Sequence, residues 1–439
     1  MQFGGVLGFK KYGITGFALI LSFIASTVVG CVEPPEDLPT REEGELPLLV
    51  ILWDPQRSEV TAVPTLAEIE ELVFGAAPSV TDFYLNQSRG KYKIVKAGVF
   101  GYLADKPADH YWNHPAPGEP GSDEWTSGHY EKWAEAIRKA DKDFDYSEYD
   151  YNGDGVIAPS ELGILVVIPQ SRPFGTVRSL LGAQVPENQP LYVDGVKLKR
   201  VAEVYTGVER KTKNIPMNFG VTNHELGHLF FGFHDFYSNG TMRPGHYSIM
   251  DASYTDAQVD PYHRIHAGWI EPVVITTDGN FHLPSVENSG ALIKILRPNH
   301  EPPEYFIIEN RQHGVYDNDL PDTGLAIWRF VENEEAPEWV KNNIHLIRSP
   351  VAIGDHLALW HAPESPIATL SWSDGTPSGI VVSNISVSQE DMTFSLDIPF
   401  GAVGKPSQNV SVVQDFMAVE GEWPGCPTYD QLQLEGLLE

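Results

Sequence analysis

His224-Glu225-Leu226-Gly227-His228 constrains this chain more than any other five residues in it. Helical positions i and i+4 lie on one face, one above the other. His224 and His228 can therefore aim both imidazoles at one cation if the segment is a helix. Glu225 then stands beside the first imidazole, within reach of a water held by that cation. Two nitrogen ligands and a neighbouring carboxylate base are the donor set of a zinc hydrolase. Two plainer readings compete. Thr222 and Glu225 fit a capping box, with Thr at the N-cap and Glu three residues on, which would engage Glu225 with backbone N–H groups. Alternatively, both histidines are ordinary polar residues on an amphipathic helix.

The residues that follow favour the metal. Leu226, Leu229, Phe230 and Phe233 supply an apolar face, and Gly232 suits the left-handed residue that ends a helix. Zinc hydrolases use three protein ligands and leave the fourth position to water. Two candidates for the third ligand stand just beyond the glycine, His234 and Asp235. Further on, Gly245-His246-Tyr247-Ser248-Ile249-Met250-Asp251 places Met250 at a distance suited to a turn beneath the metal, although a Met also fills core gaps. Asp251 is either a support for the site or a turn residue. Tyr254 or Tyr262 is the candidate to stabilise an oxyanion.

With Ala267-Gly268-Trp269-Ile270-Glu271-Pro272 added, the sequence resembles the immune inhibitor A-type secreted bacterial zinc metallopeptidases, a metzincin-like group with a long His-Glu motif and a Met-turn. The resemblance runs from about residue 46 to 400. It includes Leu48 to Leu52 as a first strand, Val80-Thr81-Asp82-Phe83-Tyr84, and Asn86-Gln87-Ser88-Arg89-Gly90-Lys91. It continues through Tyr305 to Gln312, Gly324 to Trp328, Ser378 to Val382 and Met392-Thr393-Phe394. It implies a metzincin-like peptidase domain, zinc on two histidines and a third ligand, and an Asp/Asn/Gly turn where the calcium loop described below falls. One departure stands out. Gly232 follows His228 by four residues where the family has three, so one residue is inserted at Phe230-Phe231. Counted from the glycine, with Tyr237 following as in the family, the third ligand is Asp235. Counted from the first histidine at metzincin spacing, it is His234.

A second metal is indicated by Asp150 to Glu161, which matches the 12-residue EF-hand calcium loop in register. Oxygens would come from Asp150, Asn152, Asp154, the carbonyl of Val156 and bidentate Glu161, with Gly155 at the sharp turn and Ile157 pointing into the core. Ala158 at the ninth position leaves that ligand to water. Tyr146 to Tyr149 and Pro159 argue against two flanking helices, which makes this a structural loop rather than a sensor. His110, His114 and His129 lie in a Pro- and Gly-rich stretch, and their spacing matches no metal site.

The chain has 439 residues, with 30 basic and 60 acidic side chains and a net charge of −30. A field of that sign excludes general nucleic-acid binding. Lys10 and Lys11 followed by an apolar run to Gly30 read as an export signal, and Val28-Val29-Gly30-Cys31 resembles a lipobox. Cleavage there would put a lipid anchor on Cys31 and remove two lysines and no acid, taking the charge to −32. Residues 32 to 45 then form an acidic tether. Cys426 pairs with Cys31 only if the latter is not lipidated.

The pattern predicts an α+β chain. A catalytic domain spans 46 to 272, with strands at 48–53, 92–102 and 163–168 and helices at 65–74, 78–87 and 129–141. Residues 273 to 400 read as an antiparallel β-sandwich, with strands near 281–283, 291–296, 305–309, 325–330, 356–360, 379–385 and 392–398. An acidic tail fills 401 to 439. Taken together, the expectation is a monomeric zinc endopeptidase of the bacterial cell envelope, exported as a lipoprotein or secreted, using zinc and calcium and acting on protein or peptide substrates. The rival from another class is a non-catalytic surface adhesin that keeps both metals as structural staples.

Overall fold

The computed structural model describes residues 44–55, 63–112, 123–169, 175–180, 191–206, 219–236, 244–332, 342–399 and 409–411. The export signal, Cys31, the tether through residue 43, His114, Tyr237 and Cys426 lie outside the described residues, as does the side chain of His129. No helix among the described residues is long and apolar enough to cross a membrane.

In chain order the first part contains β1 (Glu45–Asp54), α1 (Leu66–Phe74), α2 (Val80–Gln87), β2 (Lys93–Leu103), α3 (Ala108–Trp112), α4 (Asp123–Ala140), β3 (Val156–Ile157) and β4 (Gly163–Ile168). There follow β5 (Gly175–Ser179), β6 (Tyr192–Val193), β7 (Val196–Leu198), β8 (Arg200–Tyr205) and α5 (Phe219–Phe231). Every residue of β1 from Leu46 to Trp53 is buried, as expected for a strand covered on both faces. It lies between β2 and β4 in a sheet of order β2-β1-β4-β8-β5, parallel except for the antiparallel strand β5. Because strand side chains alternate, Leu48, Val50 and Leu52 join one core with residues of α1, α2 and α5. Leu49, Ile51 and Trp53 join another with Tyr130, Trp133 and Ile137 of α4. The helices are set by their caps: Thr65 and Glu68 cap α1 reciprocally, and Ser79 caps α2. Such a cap stabilises a helix by about 1 kcal/mol.

The second part contains α6 (Pro261–His266), β9 (Val273–Val274), β10 (Gly279–Pro284), α7 (Val286–Ser289), β11 (Ile293–Leu296), β12 (Glu304–Arg311), β13 (Gly324–Glu332) and β14 (Asn342–Leu346). It ends with β15 (Ala368–Ser371), β16 (Pro377–Ser383), β17 (Asp391–Asp397) and β18 (Asn409–Ser411). Two five-stranded sheets, β14-β13-β12-β11-β9 and β15-β16-β17-β10-β18, share an apolar core. The chain is thus a mixed α+β protein with several sheets.

Three details differ from the sequence expectation. Residues 356–360 form no strand, only isolated bridges from His356 to Ile353 and from Trp360 to Leu325. The pairings β9–β11 and β10–β18 are parallel. The second of these draws Asn409–Ser411, from the expected tail, onto the β10 edge.

The two parts are not separated at residue 272. Strand β12 is buried along its whole length. Phe306 and Ile308 face the core between the two later sheets, whereas Tyr305 and Ile307 belong to the core that also holds Leu226 and Leu229 of α5. A buried ionic cluster reinforces this join. Arg311 grips Asp317 with two hydrogen bonds of 2.6 Å and donates a third, of 3.0 Å, to the carbonyl of Tyr247.

Candidate metal centre

Helix α5 carries the pentapeptide. Phe219, Gly220 and Val221 are already helical, so Thr222 lies inside the helix and is no N-cap. This overturns the capping-box reading of Glu225. The hydroxyl of Tyr84 on α2 donates to the carbonyl of Asn223 and so braces the turn before His224. The other end closes through a wide turn. The helix runs to Phe231, Gly232 takes a left-handed φ of 64°, and the N–H of Phe233 bonds back to the carbonyl of Gly227. Ordinary left-handed closures bond back over four or five residues. This one spans six. Trp269 packs edge-on to Phe231 at 4.8 Å and against Phe233 at 5.2 Å, holding that turn in place.

The returning chain brings Asp235 to both histidines. Its Oδ1 lies 3.1 Å from His224 Nε2 and 3.1 Å from His228 Nε2, and the two Nε2 atoms are 3.0 Å apart. Tetrahedral zinc with bonds near 2.05 Å separates its ligands by about 3.3 Å. The three atoms therefore fit one zinc ion with little adjustment. The ring orientations fit as well. His224 Nδ1 faces the carbonyl of Ile249 at 2.9 Å, and His228 Nδ1 faces the carbonyl of Phe233. Each carbonyl holds the proton on Nδ1, so that Nε2 is the nitrogen that can serve as a ligand. Among the described residues this is the one group of three His, Cys, Asp or Glu side chains whose ligand atoms lie within 4.8 Å of one another.

Charge in the group is strongly coupled. Burial opposes the charged form of His224, but the hydrogen bond to Asp235 and the charges of Glu225 and Asp235 outweigh it and raise its pKa. Burial likewise works against the Asp235 carboxylate, yet hydrogen bonds from the two imidazoles hold it far below the usual carboxylate range. A site that favours a cation so firmly is one where a metal can replace the proton.

Glu225 is buried beneath the edge strand β5. A Cβ at Gly175 would lie 2.5 Å from Glu225 Cγ, 2.8 Å from its Oε1 and 2.6 Å from the backbone oxygen of Glu203. Only glycine lets β5 pass this close to the carboxylate. Sequence reasoning missed Gly175, because nothing local in Pro173-Phe174-Gly175-Thr176 reveals that β5 crosses α5.

The remaining candidates fall as follows. His234 is outside the group of three; its backbone N–H donates to His263 Nε2 at 3.1 Å, and its ring lies 6.4 Å from that of His263. Met250 is fully buried, with its sulfur 3.3 Å from where a Cβ on Gly227 would sit, so it packs against the helix between the two histidines. Asp251 accepts the N–H of Gly245, as a turn residue does. Tyr254 is exposed and bonded to His246 at 3.2 Å, whereas Tyr262 packs on His266 and Phe330. The loop from Asp150 to Glu161 has Gly153 and Gly155 at φ of 70° and 78° and buries Ile157, whose strand pairs with β7. Its carboxylates accept from the loop's own amides: Asp150 from Gly155 at 3.0 Å, Asp154 from Val156 at 2.7 Å, and Glu161 from Ala158 at 2.9 Å. His110 sits in an exposed cluster with Lys106 and Glu131.

Compared with known family models and with curated proteins, the chain matches none.

Proposed function

We propose that this protein is a zinc-dependent endopeptidase of the immune inhibitor A type, exported as a lipoprotein, with Glu225 as its general base. The observation that carries the proposal is the convergence of Asp235 on His224 and His228 of a helix whose Glu225 lies against the antiparallel edge strand β5. Bound zinc would supply Lewis acidity, lowering the pKa of a water toward neutrality and polarising a carbonyl. The protein's own residues do the rest. His224, His228 and Asp235 hold the ion. Glu225 accepts a proton from the water and delivers it to the departing amine. Strand β5, the last of its sheet among the described residues, offers backbone groups along which an extended peptide can lie. The resemblance supports a peptide rather than another substrate, and the acidic composition agrees with a role outside the cell. The test is incubation of the full-length, zinc-loaded protein with a mixed peptide library. Cleavage that stops on chelation and returns with added zinc supports the proposal; a zinc-replete protein that cleaves nothing leaves the adhesin reading instead.

The proposal includes calcium at Asp150, Asn152, Asp154, the carbonyl of Val156 and Glu161. Burial raises the pKa of Glu161; amides of Ala158 and Asn152 oppose the rise and the charges of Asp150 and Asp154 add to it. A divalent cation would relieve that crowding. Saturating calcium should raise Tm by about 5 °C, and Glu161→Gln should remove the rise. An unchanged wild-type melting curve would reject the calcium site.

A further inference from the structure

The segment that carries Asp235 is closed into a ring of hydrogen bonds through two residues outside the group of His224, His228 and Asp235. Asp260 is the N-cap of α6, and its Oδ1 accepts the N–H of His263 at 3.0 Å. Its Oδ2 accepts from His263 Nδ1 at 2.8 Å and from the hydroxyl of Ser248 at 2.8 Å. With the proton fixed on Nδ1, His263 Nε2 is an acceptor and takes the N–H of His234 at 3.1 Å. The circuit closes on the Met250 turn: the N–H of Met250 donates to Ser248 Oγ at 3.1 Å, and the N–H of Phe236 donates to the Met250 carbonyl at 3.1 Å. The N–H groups on both sides of Asp235 are thereby fixed. The His263 ring also lies between Phe233 at 4.6 Å and Phe236 at 5.0 Å, so the segment wraps around it. Both members of the pair are buried, Asp260 fully and His263 to 3% exposure.

We propose that Asp260 and His263 are a positioning pair, in which Asp260 selects the His263 tautomer that holds Asp235 on the metal. This rests on Asp235 being a ligand. A carboxylate that orients an imidazole through one ring nitrogen, so that the other can act, is a familiar device for fixing a tautomer. Here the other nitrogen grips a backbone N–H instead of a metal. The carboxylate is specifically required. An amide at 260 can present its NH2 to Nδ1, which moves the ring proton to Nε2, where it confronts the N–H of His234.

The test compares zinc affinity, by chelator competition, with Tm of the metal-free protein, using the full-length chain. Asp260→Asn should weaken zinc binding by about 10- to 100-fold and shift the visible bands of the cobalt-substituted protein. His263→Gln, whose amide oxygen can still accept from His234, should stay within about threefold of wild type, whereas His263→Met should behave like Asp260→Asn. Combining His263→Met with Asp235→Ala should cost no more affinity than Asp235→Ala alone, because the pair acts only through Asp235. If Asp260→Asn fails to fold, the Gln and Met variants at 263 decide the matter. A fall in metal-free Tm with unchanged zinc affinity in the Met variant would make the pair merely structural and overturn the inference. If Asp235→Ala itself binds zinc like wild type, the ligand reading fails first, and the result is distinct.

Discussion

Glu225→Gln should leave the zinc content of the protein unchanged and lower peptide cleavage by about a thousandfold, the middle-to-upper range for loss of a general base. That loss corresponds to about 4 kcal/mol of transition-state stabilisation. Gln keeps the shape of Glu, so the tight packing under Gly175 is undisturbed, but a neutral amide cannot take a proton from water. The ligands are untouched, since His224, His228 and Asp235 form their group without Glu225. Zinc content by elemental analysis and kcat on one cleaved peptide check both halves of the expectation. Full activity in this variant would remove Glu225 from the proposed mechanism. Lost zinc would show that Glu225 acts on the metal group rather than on the water.

Asp235→Ala and His234→Ala should separate just as sharply. The aspartate variant should bind zinc at least a hundredfold more weakly, because a three-ligand site becomes a two-ligand one and part of the metal's contribution to folding disappears with it. The histidine variant should stay within about threefold of wild type, since its backbone N–H, the group that bonds His263, survives the exchange. Isothermal titration with zinc measures both. The opposite ranking would place the third ligand on His234.

That contrast marks where the sequence stops being legible. Counting residues forward from His224 or from Gly232 gives different ligands, and no local rule chooses between the counts. The choice depends on how the helix closes, through the six-residue bond from Phe233 to Gly227 and the weight of Trp269 against it. Long, consistently apolar elements were easy to find: residues 163–168 form β4, and α1 and α2 lie within two residues of their expected limits. Strand β8 was not found, because Glu203 interrupts its apolar run. Glu203 is fully buried there, 2.5 Å from Lys132 of α4, a partner 71 positions away in the chain. Gly175, Asp260 and His263 were hidden for the same reason. Each matters through something the fold brings from elsewhere.

Strand β12, whose side chains enter two different cores, has a consequence for ancestry. Domain shuffling works where chains can be cut at a neutral seam and rejoined, and residues near 272 would have looked like such a seam. Here a cut would remove Tyr316 from its stack on Phe219 of α5 and Arg311 from beneath the Tyr247 turn. The helix that carries His224 and His228 is therefore tied to the later β-sheets, and a relative of this protein should be sought as a chain in which both parts have diverged together.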